Sequence, residues 1–200
     1  MRAALRTSRR IPGARTLIAS LFALSLLVPA PAGAAGGTGI SSSTENDLQK
    51  FALSLVNCTR TGGWVRKDGS CDRTPSQRYR STRRPPLKLS EKISEDVAEP
   101  LAAKCRRLGR CGHNVMASYR TRFRREGIRT RHIGEALGYG WWGPARKSII
   151  SSFRRMQEEK ITGAWSRWHW RYIKDPDFTR VGIGIAKRGS YTVVVYDFSR

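Results

Sequence analysis

Among the side chains of this 200-residue chain, the three histidines are best suited to chemistry at neutral pH. His169 stands in a distinctive stretch at 165–186, Trp-Ser-Arg-Trp-His-Trp-Arg-Tyr-Ile-Lys-Asp-Pro-Asp-Phe-Thr-Arg-Val-Gly-Ile-Gly-Ile-Ala. Aromatic residues flank the imidazole, Asp175-Pro176-Asp177 is a rigid turn, and Val181, Ile183 and Ile185 alternate with Gly182, Gly184 and Ala186 in strand fashion. Such a segment presents one imidazole from the edge of a packed sheet. Other chemistries lack their residues: there is no Ser-His-Asp order, no zinc-protease helix motif and no phosphate loop.

The four cysteines, Cys58, Cys71, Cys105 and Cys111, include no Cys-x-x-Cys pair, and no His-x-x-x-His pair accompanies them. Structural zinc is therefore a poor fit to the thiols, whereas an even count in an oxidising compartment suits two disulfides. Three pairings are formally open. Short polar loops favour Cys58 with Cys71 and Cys105 with Cys111, and closing the first removes unfolded-chain entropy worth about 3 kcal/mol.

An oxidising compartment agrees with the start of the chain. Arg2, Arg6, Arg9, Arg10 and Arg15 precede a charge-free run of 12 residues at 17–28, and small residues suited to cleavage follow. That run is too short to cross a bilayer, which takes about 20 residues. The expected organisation is a signal peptide over 1–34, a small-residue linker over 35–43 and one domain over 44–200, with no transmembrane segment in the mature chain.

The formal charge of +23 falls to +18 once the five leader arginines are subtracted. Six basic residues and no acid lie in 73–88, and ten basic residues with one acid, Glu126, in 104–131. A surface of this kind attracts polyanions through a salt-dependent, sequence-independent term. For an exported protein the expected partners are anionic envelope polymers or lipids, with nucleic acid bound non-specifically at most.

The elements that must carry these residues follow from periodicity. Thr44 offers a cap, and Leu48, Phe51, Ala52, Leu55 and Val56 recur at helical spacing as far as Asn57. The disulfide loop over 59–71 carries Trp64, 72–86 is irregular, and 87–89 is extended. Ser90 caps a second helix whose buried stripe is Ile93, Val97, Leu101, Ala102 and Cys105, with a kink expected at Pro100. A basic third helix covers 116–126, 131–140 is extended, and Pro144 suits the first turn of a fourth helix. On that helix Ile149, Ile150, Phe153 and Met156 form the core ridge; Glu159 lies on its flank and Glu158 roughly opposite. Strands over 181–186 and 191–198, joined by Lys187-Arg188-Gly189-Ser190, complete an α+β order.

Several blocks together resemble the CAP superfamily, the cysteine-rich secretory, antigen 5 and pathogenesis-related proteins, in its secreted bacterial form. His169 through Ala186 is similar to the family's second histidine block, Gly112-His113 to the first, Ile133-Gly134-Glu135 to the Gly-Glu-Asn block and Met156-Gln-Glu-Glu159 to the Trp-x-x-Glu turn. The openings Leu55-Val56-Asn57-Cys58 and Pro86-Leu87-Lys88-Leu89-Ser90 agree, so the resemblance covers about residues 45–198. Ala136, Trp168 and Met156 depart from the residues usual at their positions.

The resemblance implies a three-layer α-β-α sandwich with a central, mainly antiparallel sheet and a cleft holding His113, Glu135, Glu159 and His169, with Glu158 the rival of Glu159. Two imidazoles and two carboxylates can hold a divalent cation such as zinc, with His113 and His169 as its ligands, or exchange protons near neutrality. His132 matches no family ligand and is not included. Of the six tryptophans, Trp141, Trp142, Trp165, Trp168 and Trp170 are expected near this cleft, while core packing accounts for at least half of the six. Two functions fit: a non-enzymatic binding module at the cell envelope, or a metal-assisted or acid/base hydrolase of a wall polymer, peptide or nucleic acid.

Overall fold

The computed structural model describes residues 41–141, 143–163 and 167–200. The expected signal peptide, nearly all of the linker, Trp142 and Trp165 lie outside the described residues. Helix α1 (Ser42–Arg60) starts two residues before the expected cap Thr44 and runs three beyond Asn57; Ser41 is its N-cap, with its hydroxyl 2.7 Å from that of Thr44. Strands β1 (Trp64–Val65) and β2 (Cys71–Asp72) make a small antiparallel ladder inside the loop closed by Cys58–Cys71. Strand β3 (Lys88–Leu89) follows the irregular arginine-rich segment.

The second helix is divided into α2 (Glu91–Ile93), a π-helical turn (Ser94–Ala98) and α3 (Glu99–Leu108). Ser90 caps it as expected, its hydroxyl accepting from the Ile93 N–H. Pro100 falls in the first turn of α3, where its missing N–H costs little, and the break expected at the proline is taken up by the wider turn before it. Helix α4 (Tyr119–Arg125) is shorter than the basic 116–126 stretch, because Ser118 caps it through the Thr121 N–H. Strand β4 (Ile133–Trp141), α5 (Ala145–Thr162, with Pro144 as its N-cap), α6 (Trp168–Lys174), β5 (Arg180–Arg188) and β6 (Tyr191–Ser199) complete the chain.

The main sheet has the order β3-β5-β6-β4, with β3 parallel to β5 and the other pairs antiparallel. One face, with Ile183, Ile185, Val194, Tyr196 and Phe198, packs on α1, α5 and α6. The other, with Ala186, Val193, Val195 and Leu137, packs on α3. The fold is thus an α-β-α sandwich of the α+β class. Gly182 and Gly184 have the reason their pattern suggested: an added Cβ would stand 2.4 Å from Ile93 Cγ2 and 2.3 Å from the Ala98 carbonyl carbon. No described helix is long and apolar enough to cross a membrane.

One buried cation ties the layers together at the end of α1. Arg60 is fully buried, and its guanidinium donates to the carbonyls of Pro85 (2.8 Å), Ile173 (2.9 Å), Asp175 (2.8 Å) and Phe178 (3.1 Å). Those carbonyls lie before β3, at the end of α6 and before β5. Removing the donors leaves four buried acceptors unpaired, so Arg60→Met is expected to cost about 3–5 kcal/mol of a total near 5–15 kcal/mol. Urea unfolding monitored by tryptophan fluorescence measures this loss.

Candidate functional site

The site is built along β4, the outer strand of the sheet, from segments on both of its faces. Cys105 is buried on α3 and bonded to Cys111, which anchors the turn carrying His113 two residues later. The His113 Nδ1 lies 2.7 Å from Oε1 of Glu135, a buried residue of β4. On the far side of the cleft, His169 projects from α6, a helix absent from the periodic reading. Its Nδ1 lies 2.5 Å from Oε1 of Glu159 on α5, while Oε2 of Glu159 accepts the Trp170 N–H at 3.1 Å. Glu158 instead pairs with Arg154 at 3.0 Å on the exposed side of the helix.

The two imidazole centres are 6.2 Å apart with ring planes 24° from parallel. Neither Nε2 has a hydrogen-bond partner among the described residues. His113, Glu135, Trp168, His169, Tyr119 and Tyr172 line a hollow of about 420 Å³. A second hollow, which includes Glu159, continues from His169 along Leu137 and Tyr139 of β4. His169 belongs to both, so the four residues named from the resemblance lie around one continuous cleft.

Behind Glu135 is a charge cluster that composition did not reveal. Glu135 and Asp197 are direct register partners on β4 and β6, both buried on the same face. Two adjacent buried carboxylates repel, and the buried Arg122 stands between them. Its Nη2 bonds Glu135 Oε2 and lies 3.6 Å from Asp197 Oδ1, and its Nη1 donates to the Ala117 carbonyl at 2.7 Å. The Asp197 oxygens have no hydrogen-bond partner among the described residues. Burial pushes this carboxyl up to about 7, although Arg122 and His113 both act to lower it.

The same surroundings set the histidine and glutamate charges. Burial, then the field of Arg122, lowers the His113 pKa, so near neutrality the ring is neutral and its Nδ1–H donates to Glu135. At Glu159 burial acts to raise the pKa, but hydrogen bonds from His169 and the Trp170 N–H outweigh it and hold the carboxyl below its ordinary value. Each imidazole is thus oriented through Nδ1 by a carboxylate, the arrangement seen behind metal-ligating histidines. With Zn–N about 2.0–2.1 Å in tetrahedral geometry, two imidazoles sharing one ion have ring centres about 5 Å apart, so the 6.2 Å separation is about 1 Å wider than a shared zinc needs and the rings would close on it.

A three-ligand group forms elsewhere. His132, Asp175 and Asp177 bring their ligand atoms within 4.8 Å of one another, the one such group among the described residues. His132 Nε2 is 2.9 Å from Asp175 Oδ2, Asp175 Oδ1 accepts the Asp177 N–H at 2.9 Å, and the His132 ring packs 4.5 Å from Phe178. These bonds pin the end of α6 to the start of β4. The Asp-Pro-Asp turn was visible in sequence, but its histidine lies 43 positions away. Of the four described tryptophans only Trp64 is buried; Trp141 and Trp168 are exposed and Trp170 is intermediate, because β4 is an edge and α6 lies at the cleft rim.

The fold is that of an SCP domain. An extracellular protein containing an SCP domain from Bacillus anthracis str. Ames is similar with a TM-score of 0.51 at 15% identity, over 80% of this chain and 44% of that one. Venom allergen-like protein 4 of Schistosoma mansoni gives 0.49 at 14% identity over 80% and 89%, and the CAP domain of enterococcal PrgA 0.48 at 15% over 80% and 63%. This chain spans less than half the length of the Bacillus anthracis protein. No protein-family model and no curated protein matches the sequence.

The raised Asp197 carboxyl gives a signed pH dependence. The folded protein retains a proton that an unfolded aspartate, with pKa about 3.9, has released. This contribution to stability is fully present below about pH 4 and is lost as pH rises through about 7. Asp197→Asn removes the dependence, so the variant is expected to gain on the wild type between about pH 4 and pH 8, by about 2–4 kcal/mol. Urea unfolding at both pH values measures the difference.

Proposed function

We propose that this chain is an exported CAP-superfamily binding module of the cell envelope, holding a divalent cation such as zinc between His113 and His169 and engaging anionic polymers or lipids through its basic surface. The observation that carries this reading is the pairing inside the cleft. Each carboxylate is bonded to an imidazole, and Glu135 to a guanidinium as well. Two imidazole Nε2 atoms remain as the open groups, while neither glutamate is left unengaged to activate water. That favours binding over hydrolysis. When bound, the cation would supply a Lewis-acidic contact for an anionic ligand group; Glu135 and Glu159 hold the rings in position beneath it.

Export is supported by the leader sequence and by the two disulfides, which persist in oxidising compartments. Polyanion binding is supported by the charge and its distribution. The concave surface bearing Arg73, Arg80 and Arg83 is one basic region, and the junction of α3 with β5 is another.

Equilibrium dialysis with zinc tests the cleft. One ion per chain is expected, lost in His113→Ala/His169→Ala and bound about 10–100-fold more weakly in Glu159→Gln. Retention by the double variant with loss in His132→Ala would overturn the cleft assignment. Binding to wall polymer or anionic vesicles is expected to weaken steeply with salt, with a slope of log K against log salt near −0.7 per phosphate contact, as for single strands. Negligible binding at low salt overturns the polyanion reading, and turnover of a wall polymer, peptide or nucleic acid that depends on both histidines replaces it with the hydrolase.

A further inference from the structure

Two surface features gather at one end of the sheet, and of their residues Tyr139 also lines the histidine cleft. Arg106 and Arg107, in the last turn of α3, and Lys187 and Arg188, at the end of β5, line one hollow of about 380 Å³. None of the four forms an ion pair with a carboxylate among the described residues. Helix α3 brings them together by following β5: its start lies over Gly184, and its last turn reaches the strand's end. Four uncompensated cations in one concavity repel one another, and a polyanion relieves that repulsion.

The second feature is aromatic. Trp141 is 65% exposed and Tyr139 47%. Two positions apart on β4, they share a face, and it is the face of Arg188, since Trp141 and Arg188 are both register partners of Tyr191. The Trp141 ring is braced 4.7 Å from that of Tyr191. Two interstrand spacings of about 4.8 Å separate the backbone at Trp141 from that at Arg188. An aromatic platform and a cation hollow therefore stand about one sugar-plus-phosphate apart.

We infer that this end of the sheet binds a phosphodiester-linked saccharide polymer of the envelope, with a sugar ring on Trp141 and Tyr139 and phosphates in the hollow of Arg106, Arg107, Lys187 and Arg188. The inference rests on the polyanion reading above and names its ligand class and location. A strand of polymer enters a concavity between a helix and a hairpin, whereas a plane of lipid head groups does not. The aromatic strip adds a requirement for rings that bare polyphosphate does not meet. At its other end the strip joins the histidine cleft, because Tyr139 lines that wall too.

The test uses the purified protein and poly(glycerol phosphate) teichoic acid carrying hexose substituents, titrated at several salt concentrations. Lys187→Glu/Arg188→Glu is expected to weaken binding about 30–100-fold at low salt and to flatten the salt slope by about 1.5. Trp141→Ala is expected to weaken the hexose-bearing polymer about 10-fold and leave bare polyphosphate unchanged. Near-UV circular dichroism checks that both variants are folded, and Arg80→Glu/Arg83→Glu, on the other basic region, is expected to weaken binding by less than about 3-fold. If only that last variant loses binding, the location is wrong while the polyanion reading stands. If the wild type does not bind at low salt, both fall. Single-stranded DNA or anionic vesicles bound equally tightly, with the same loss in Trp141→Ala, would overturn the saccharide assignment.

Discussion

The buried guanidinium of Arg60 is the constraint on which the architecture depends most. It donates to carbonyls from three separate segments, and none of those donations is part of a helix or strand ladder. Planarity matters here, because a fork of fixed N–H directions can satisfy several acceptors that a point charge would gather less well. Burial lowers its pKa and the charge of Asp175 offsets part of that effect. Lys174, donating to the Thr59 and Arg60 carbonyls, closes the same junction from the α6 side. The helix carrying His169 is thus held at its C-terminal end by α1 and at its N-terminal end by Glu159.

Arg122 does for the other half of the cleft what Arg60 does for this one. Glu135 and Asp197 face each other across adjacent strands, an arrangement that a cation between them makes tolerable. The consequence reaches His113, whose ring is kept neutral and oriented by a carboxylate that is itself fixed. Two arginines out of a strongly basic set are therefore structural, and among the described residues they are the two removed from water. The remainder gives the surface its field.

Much of this was legible in sequence, and the limits are physical. The Gly182 and Gly184 alternation revealed a closely approaching layer because a missing side chain records a distance directly. Helical phase favoured Glu159 over Glu158, since one residue turns a side chain through about 100°, but left Glu158 as its rival. Helix α6 was not legible: seven residues, mostly aromatic or charged, are too few to show a period. The Arg122 and Asp197 pairing joins a basic helix to a strand 75 positions later, and nothing local distinguishes that arginine from its neighbours. Likewise, His132 matched no family ligand, and its partner Asp175 lies 43 positions away.

The sheet treats its two edges differently. On the β5 side, beyond the short β3, the Ile183 N–H donates to Ser94 Oγ and its carbonyl accepts from Gln49 Nε2, so helices close that edge with side chains. On the opposite side β4 is nine residues long and among the described residues pairs with β6 alone, and the cleft runs along its other margin. An unpaired strand margin is a template for another chain. Residues 134–138 of that strand are buried and only Tyr139 and Trp141 are exposed, so the stretch open to another chain is the short end that carries the aromatic pair.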